Sequence, residues 1–203
     1  MTTHPLILQL DTAGNPRSWI TYENAAYYYV KNLIAWTVDG DEYTIRGGKN
    51  RITSEQSKME LSTIIAVKGA TNSRHAYQTP TLTNRALFRR DQHICAYCGN
   101  EFFQEKLTRD HIIPSSRDGK DCWTNVVTSC GGCNKKKDNK TPEEANMKLL
   151  YVPYAPSKSE HLILMNRNIL ANQMDFLLAR VGQNSRLLEK DFKQSILNKR
   201  KFN

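Results

Sequence analysis

The sequence predicts an α+β protein with a small N-terminal α+β unit, a cysteine-rich central segment and a helical C-terminal extension. Three observations predict this organisation. Short apolar runs surround one helical pattern in residues 1–82, and four of the five cysteines form two C-x2-C pairs within residues 83–150. In residues 151–203, apolar side chains recur at helical spacing. We therefore expect domain boundaries near residues 82 and 150.

The N-terminal unit begins with a predicted strand and a predicted helix. Residues 6–10 are a short apolar run that ends at the turn-rich residues 11–16, as a strand would. From Tyr22 to Leu33, apolar side chains recur every three or four residues, which predicts a helix. Thr21 stands directly before this pattern and is a suitable N-cap.

Three further strands complete the N-terminal prediction. Residues 34–38 and 42–46 flank Asp39-Gly40, a pair of residues that favours a tight turn. We expect these two runs to form a hairpin. Residues 63–67 are apolar and predict another strand.

The residues after the cysteines predict helices. Thr141 to Glu144 combine a capping hydroxyl, a proline at the first helical position and a glutamate three residues after the cap. An apolar stripe at helical spacing predicts a packing face, with a dimer interface as the alternative. A last helix carries the basic tail 199–201. The stripe comprises Leu162, Met165, Ile169, Leu170, Leu177 and Val181.

The charge of the chain indicates its partner. Lys and Arg number 29 against 20 Asp and Glu, and the net charge of +9 suggests a polyanion such as DNA or RNA. An anionic membrane is disfavoured because no long basic amphipathic helix is present. No segment is apolar over the length of a bilayer, and the first residues lack a signal-peptide pattern. We expect a soluble, intracellular (cytoplasmic) protein without a membrane partner.

The cysteine pattern predicts a zinc site. Five cysteines are an odd number, mostly grouped as C-x2-C pairs, which is a poor basis for disulfides and is typical of metal binding in a reducing compartment. Four thiolates complete a tetrahedral zinc site and leave no position for substrate, so the zinc is structural. Cys122 is left over and is interpreted as a free thiol. The predicted ligands are Cys95, Cys98, Cys130 and Cys133.

A second motif lies between and after the two cysteine pairs. Asp110-His111 is followed by two aliphatic residues and Pro114, then by a Gly-Lys loop at Gly119 and by Asn125. Asn134 stands directly after the last cysteine. Over about residues 84–150, this arrangement resembles the HNH endonuclease family in its four-cysteine, ββα-metal form. The resemblance implies a zinc-stapled catalytic core.

The resemblance also implies a role for each polar residue of the motif. His111 would be the general base that takes a proton from water. Asp110 and Asn134 would hold one Mg²⁺, with Mn²⁺ or Ni²⁺ as substitutes. Because neighbouring side chains on a strand point to opposite faces, Asp110 and His111 suit different tasks. Asn125 would support the loop that carries His111.

Basic residues around the motif are candidate contacts to the nucleic-acid backbone. Lys135, Lys136 and Lys137 follow Asn134 directly, where the scissile phosphate is expected to lie. A solvated surface is the alternative interpretation of this run. Further candidates that flank the motif are Arg109, Arg117 and Lys120.

These observations lead to the hypothesis of a metal-dependent endonuclease that nicks or cleaves double-stranded DNA. A double-strand break would require a homodimer or two successive nicks, because one site cuts one strand. One alternative is a zinc-stabilised nucleic-acid-binding protein without catalysis, which would not need Asp110, His111 and Asn134. The other is a structure-selective or RNA-directed nuclease with the same core.

Overall fold

The computed structural model describes residues 5–69, 79–166 and 168–189. Helices and short strands are mixed in it, which confirms the predicted α+β class. No helix in these three ranges is long and apolar enough to cross a membrane. The last predicted helix and the basic tail lie beyond residue 189, outside the described residues.

The described elements are short. Among them, the helices are α1 (Tyr22–Val30), α2 (Asn84–Arg90), α3 (Gly131–Lys137), α4 (Lys158–Met165) and α5 (Ala171–Leu178). The strands are β1 (Ile7–Leu10), β2 (Pro16–Ile20), β3 (Ile34–Thr37), β4 (Glu42–Lys49), β5 (Gln56–Ser62), β6 (Ile64–Val67), β7 (Leu107–His111) and β8 (Val126–Cys130).

The chain divides into two compact units. The first unit combines residues 5–69 with Asn166–Val181, and the second unit combines Thr79–Met165 with residues 182–189. The C-terminal extension expected from the sequence is thus divided between the two units. Its apolar stripe is interrupted: Leu162 and Met165 lie in α4 of the second unit, and Leu177 lies in α5 of the first unit.

The first unit contains a four-stranded sheet in the order β2-β1-β6-β3. Strand β1 is antiparallel to β2 and parallel to β6, and β6 is antiparallel to β3. Every residue of β6 is buried, as expected for an apolar strand with a neighbour on each side. The strands expected over residues 6–10 and 63–67 are therefore confirmed within one or two residues.

Strands β4 and β5 form a separate two-stranded ribbon. The predicted hairpin between residues 34–38 and 42–46 is wrong, because β3 pairs with β6 instead of β4. Strand β6 offers β3 an apolar, buried partner, while Asp39-Gly40 leads the chain into the ribbon. A turn signal alone does not reveal which of several strands lies beside a given strand.

Helices α1 and α5 complete the first unit. Helix α1 begins after Thr21 as predicted, and the Thr21 hydroxyl accepts a hydrogen bond from the Asn24 N–H at 3.4 Å. In α5, the buried Gln173 donates Nε2–H to the carbonyl oxygens of Leu6 at 2.9 Å and Thr63 at 2.8 Å. The core of the unit comprises Ile7, Ala25, Leu61, Ile65 and Val67.

The second unit is centred on the β7-β8 hairpin and α3. The antiparallel register runs from Leu107 opposite Cys130 to His111 opposite Val126, and α3 starts at the residue after β8. This ββα arrangement is the one that the sequence resemblance implied. Two small clusters of buried side chains support it. They comprise Ile94, Ala96, Val127, Leu150 and Tyr151, and Leu87, Phe88, Leu107, Trp123 and Val126.

Helix α2 is capped by Thr83, whose hydroxyl accepts a hydrogen bond from the Ala86 N–H at 3.2 Å. The predicted helix at Thr141 is wrong. Thr141 and Glu144 do exchange both capping hydrogen bonds. However, Asn146 adopts a left-handed φ of 52°, so the chain stops after a single turn.

A buried ion-pair network holds residues 182–189 in the second unit. Asp91 pairs with Arg90 at 2.9 Å and with Arg186 at 2.5 Å, and all three side chains are at most 4% exposed. Asp91 also accepts from the Thr128 N–H at 2.9 Å. The network links α2, β8 and the C-terminal segment, which explains why this segment does not form an independent extension.

Candidate functional site

The four predicted zinc ligands lie together. The sulfur atoms of Cys95, Cys98, Cys130 and Cys133 are all within 4.8 Å of one another. A tetrahedral zinc with about 2.3 Å bonds to sulfur would place its ligands about 3.8 Å apart, so this cluster fits a structural metal such as zinc. Burial raises the pKa of the Cys98 thiol to about 11. A cation that replaces the thiol protons would relieve this cost.

An open cleft of about 320 Å³ lies at the end of the β7-β8 hairpin. It brings together Asp110 and His111 from the end of β7 with Asn134 from the first turns of α3. The cleft forms because α3 follows β8 without a loop and therefore crosses the hairpin beside the last residues of β7. Arg109 and Lys137 also line this cleft.

Asp110 is 4% exposed and both its oxygens have hydrogen-bond donors. Lys137 donates its ammonium to Oδ1 at 3.0 Å, and the Tyr97 hydroxyl donates to Oδ2. Burial and the Asp110 carboxylate together raise the pKa of Tyr97 well above its ordinary value. Lys137 also donates to the backbone carbonyl of His111 at 2.7 Å. Tyr97 lies between Cys95 and Cys98 in the sequence, so it connects the cysteine cluster to Asp110.

His111 faces a different set of partners. Its Nε2 atom lies 3.0 Å from Oδ1 of Asp121, and the other Asp121 oxygen accepts from Arg109 at 2.6 Å. The contact with Arg109 contributes most to lowering the pKa of Asp121, and the contact with His111 lowers it further. Asp121 is therefore ionised at neutral pH. The His111 side chain remains 24% exposed and can reach water.

Asn134 is oriented by a neighbouring strand. Its Nδ2 atom donates to the hydroxyl of Thr108 at 2.9 Å, and Thr108 in turn donates to the Ser129 carbonyl at 3.1 Å. With Nδ2 turned toward Thr108, the amide oxygen of Asn134 remains available as an acceptor or metal ligand.

Asn125 holds the loop between the two strands. Its side chain accepts from the Ile113 N–H at 3.0 Å and donates to the carbonyls of Ile113 at 3.1 Å and Lys120 at 2.9 Å. Gly119 makes the loop possible, because a Cβ at this position would overlap the Ile113 carbonyl oxygen. Asn125 thus closes residues 113–120 into a fixed loop beside His111.

The predicted phosphate contacts differ in their surroundings. Lys135, Lys136 and Lys120 are exposed, as a backbone contact requires. Arg117 already pairs with Glu144 at 2.7 Å on the surface. The prediction for Lys137 is wrong, because its side chain is fully buried against Asp110 and cannot reach a phosphate. Arg109 lines the cleft, with one guanidinium nitrogen held by Asp121.

The leftover cysteine is separate from the cluster. Cys122 lies 3.5 Å from the Thr124 hydroxyl, a contact that lowers the pKa of its thiol. It is not one of the four residues whose sulfur atoms come together. This arrangement agrees with its interpretation as a free thiol.

The sequence did not predict the contacts of three residues of the site, which are Tyr97, Asp121 and Lys137. Tyr97 and Asp121 are joined to Asp110 and His111 only through long-range packing, and no spacing rule pairs them. Lys137 could have been placed correctly, since it lies three residues after Asn134 and therefore on the same face of α3. Lys135 and Lys136 turn away from that face.

Comparison with known proteins finds a family match, which lies within the second unit. Residues 95–150 match the family model of the HNH endonucleases. No curated protein matches the chain significantly. The matched range contains the cysteine cluster and the cleft residues, and the clustered cysteines fit the zinc-stapled form of the family. This HNH domain indicates a nuclease or nucleic-acid-binding function.

Proposed function

We propose that the HNH domain of this protein is a metal-dependent endonuclease that hydrolyses phosphodiester bonds of double-stranded DNA. The observation that carries the proposal is the cleft in which Asp110, His111 and Asn134 meet beside the four-cysteine cluster. A protein that only bound nucleic acid would need none of these three side chains in one cleft. The net charge of +9 supports a polyanionic substrate.

His111 is the proposed general base. If Nε2 carries the imidazole proton and donates it to Asp121, Nδ1 has a free lone pair. A water oxygen attacks phosphorus while one of its protons passes to Nδ1. The bond from phosphorus to the 3′ oxygen breaks, and this oxygen gains a proton from solvent. The products carry 5′-phosphate and 3′-hydroxyl ends.

Asp121 is the proposed positioning residue for His111. Its carboxylate selects the tautomer in which Nδ1 is unprotonated, and it favours the imidazolium that forms during the reaction. Arg109 holds the second Asp121 oxygen at 2.6 Å and so fixes the direction of the first. The three side chains form a chain of contacts from the loop to the cleft.

Asp110 and Asn134 are the proposed protein ligands of a divalent ion. A carboxylate and an amide oxygen suit Mg²⁺, which keeps several waters, and Mn²⁺ or Ni²⁺ fit the same donors. Each Asp110 oxygen accepts one hydrogen bond and keeps a second lone pair, and the Asn134 oxygen is available. When bound, such an ion stabilises negative charge on the phosphate and on the leaving oxygen.

The cysteine cluster is proposed to hold a structural Zn²⁺. Four thiolates close the coordination sphere, so this ion binds no substrate. It joins the segment before β7 to the start of α3, and thereby fixes Asn134 relative to β7. Tyr97 adds a direct hydrogen bond from this segment to Asp110.

One observation favours a second candidate function, that of a nucleic-acid-binding protein without catalysis. The Lys137 ammonium lies 3.0 Å from Asp110 and neutralises the charge that would attract a cation. In an active nuclease, a divalent ion must bind Asp110 although the positive charge of Lys137 lies beside the same carboxylate. The two candidates therefore differ in whether Asp110 supports metal-dependent cleavage.

Supercoiled plasmid incubated with the protein, with and without Mg²⁺, tests the proposal. We expect Mg²⁺-dependent nicks whose sequenced ends carry 5′-phosphate. The variant His111→Ala should cleave at least about a hundredfold more slowly, because it lacks the base, and should bind duplex DNA like the wild type. Wild-type protein that binds DNA but cleaves none with Mg²⁺, Mn²⁺ or Ni²⁺ would instead establish the non-catalytic candidate.

A further inference from the structure

The distal part of the β4-β5 ribbon projects from the first unit without a core of its own. In this part, residues 46–58, every residue is exposed. The last paired side chains that pack against the core of the unit are Ile45 and Met59, which lie opposite each other. Beyond them both faces of the ribbon are in solvent. We call residues 46–58 the ribbon tip.

The ribbon tip is ordered by its own hydrogen bonds. Asn50 Oδ1 accepts from the N–H groups of Ile52 at 2.8 Å and Thr53 at 3.2 Å and so fixes the turn. Near the register shift of the ribbon, the Ser57 hydroxyl donates to the Gly48 carbonyl at 3.2 Å. Polar side chains therefore give the tip a defined shape that apolar packing does not supply.

The ribbon tip is also strongly basic. It carries four positive side chains and one negative side chain, Glu55. Arg46 lies directly opposite Lys58 in the register, and like charges at this position destabilise a sheet. Among the described residues, none of the four basic side chains forms an ion pair. The four are Arg46, Lys49, Arg51 and Lys58.

We propose that the ribbon tip is a binding surface for duplex DNA and enters its major groove. The inference rests on the proposed function, which makes duplex DNA the substrate. A two-stranded β-ribbon fits the major groove of B-form DNA, and phosphates on both sides of the groove complement the basic side chains. Ile52, 94% exposed at the turn, supplies an apolar contact of the kind that thymine methyl groups accept.

Binding of a DNA duplex at several salt concentrations, without added divalent ions, tests the inference. The variant Arg46→Gln/Lys58→Gln removes the facing pair of charges. Loss of two phosphate contacts should flatten the slope of log affinity against log salt by about 1.8, and weaken binding by on the order of tenfold or more at 0.1 M salt. The control Lys31→Gln/Lys106→Gln removes two exposed charges outside the ribbon tip. Its slope and affinity should stay closer to those of the wild type.

Duplex RNA of the same sequence separates groove binding from simple charge attraction. The major groove of A-form RNA is too deep and narrow for a ribbon, so the ribbon variant should lose less affinity for RNA than for DNA. Equal losses on both duplexes, or a ribbon variant equal to its control, would overturn the inference. These binding results do not depend on cleavage, so an inactive wild-type protein would refute the proposed nuclease and leave the ribbon assignment standing.

Discussion

Lys137 illustrates how one side chain can shape the whole cleft. It is fully buried, and its ammonium donates to Asp110 and to the backbone carbonyl of His111. It therefore holds the two central residues of the motif from the side of α3. Its role is to position these residues, because it has no exposed surface from which to touch substrate.

The first prediction concerns this buried lysine. Lys137→Met should lower the free energy of unfolding by about 3–5 kcal/mol, because Asp110 would remain buried without its cation. Lys136→Met, on the exposed side of the same helix, should change it by about 0.5 kcal/mol or less. Urea denaturation of the zinc-loaded proteins measures both values. Similar stabilities of the two variants would show that the ion pair contributes little.

The second prediction concerns Asp121. Asp121→Asn should lower kcat by tenfold or more with little change in DNA affinity, because the amide cannot stabilise the His111 imidazolium as a carboxylate does. Asp121→Glu should restore part of kcat. The matched control is Asp118→Asn in the same loop, where the left-handed φ of 61° suits asparagine. Steady-state kinetics on nicked and supercoiled plasmid measure kcat and KM for each variant. A change in KM alone for Asp121→Asn would refute the positioning role.

At the scale of residues, the sequence predicted that the four cysteines lie together, and it did not predict the contacts that surround Asp110 and His111. The cysteines are separated by spacings that metal geometry imposes, so their proximity could be read from the chain. The contact of His111 with Asp121 depends on the path of a loop, and that of Asp110 with Tyr97 depends on packing between segments. No local sequence pattern encodes either contact.

At the scale of elements, the loop between β7 and β8 depends on one glycine. Gly119→Ala should destabilise the second unit and displace His111, because the added Cβ would overlap the Ile113 carbonyl oxygen. Gly132→Ala is the matched control, since nothing lies near its Cβ position and alanine favours the helix by about 1 kcal/mol. Thermal denaturation compares them. An equally stable Gly119→Ala protein would mean that the loop can shift without cost.

The elements that the sequence predicted wrongly share a physical cause. Local signals at Asp39-Gly40 and at Thr141 were real, since the chain turns at the first and caps a turn at the second. The structure that follows each signal depends on residues outside the signal itself. Strand β3 pairs with β6, which is more apolar than β4. The turn after Thr141 ends at Asn146, whose φ is left-handed. Such competition between partners is not visible in a short segment.

At the scale of the whole molecule, we expect the folding of the second unit to depend on zinc and the folding of the first unit not to depend on it. Cys130→Ser should abolish bound zinc and unfold the second unit, whose two small core clusters need the metal as a staple. The first unit should keep its hydrogen-exchange protection, because its core cluster is formed by residues of that unit alone. Cys122→Ser should retain one zinc per chain. Exchange mass spectrometry and elemental analysis report both effects, and simultaneous loss of protection in both units would contradict the separation.

The division into units was only partly predictable. The boundary expected near residue 82 lies close to Thr79, where the second unit begins. The return of α5 to the first unit was missed, because a stripe of apolar residues shows that a helix has a packing face and does not show which core receives it. In this chain Gln173 identifies that core through its bonds to Leu6 and Thr63.

These two hydrogen bonds have a consequence for the order of biosynthesis. The sheet of the first unit is translated early, yet the side chain that satisfies the carbonyls of Leu6 and Thr63 emerges from the ribosome more than a hundred residues later. The HNH segment at residues 95–150 is complete before Gln173 appears. The cysteine cluster can therefore assemble while the N-terminal sheet still lacks α5, and Arg186, which joins the buried ion-pair network of the second unit, emerges later still.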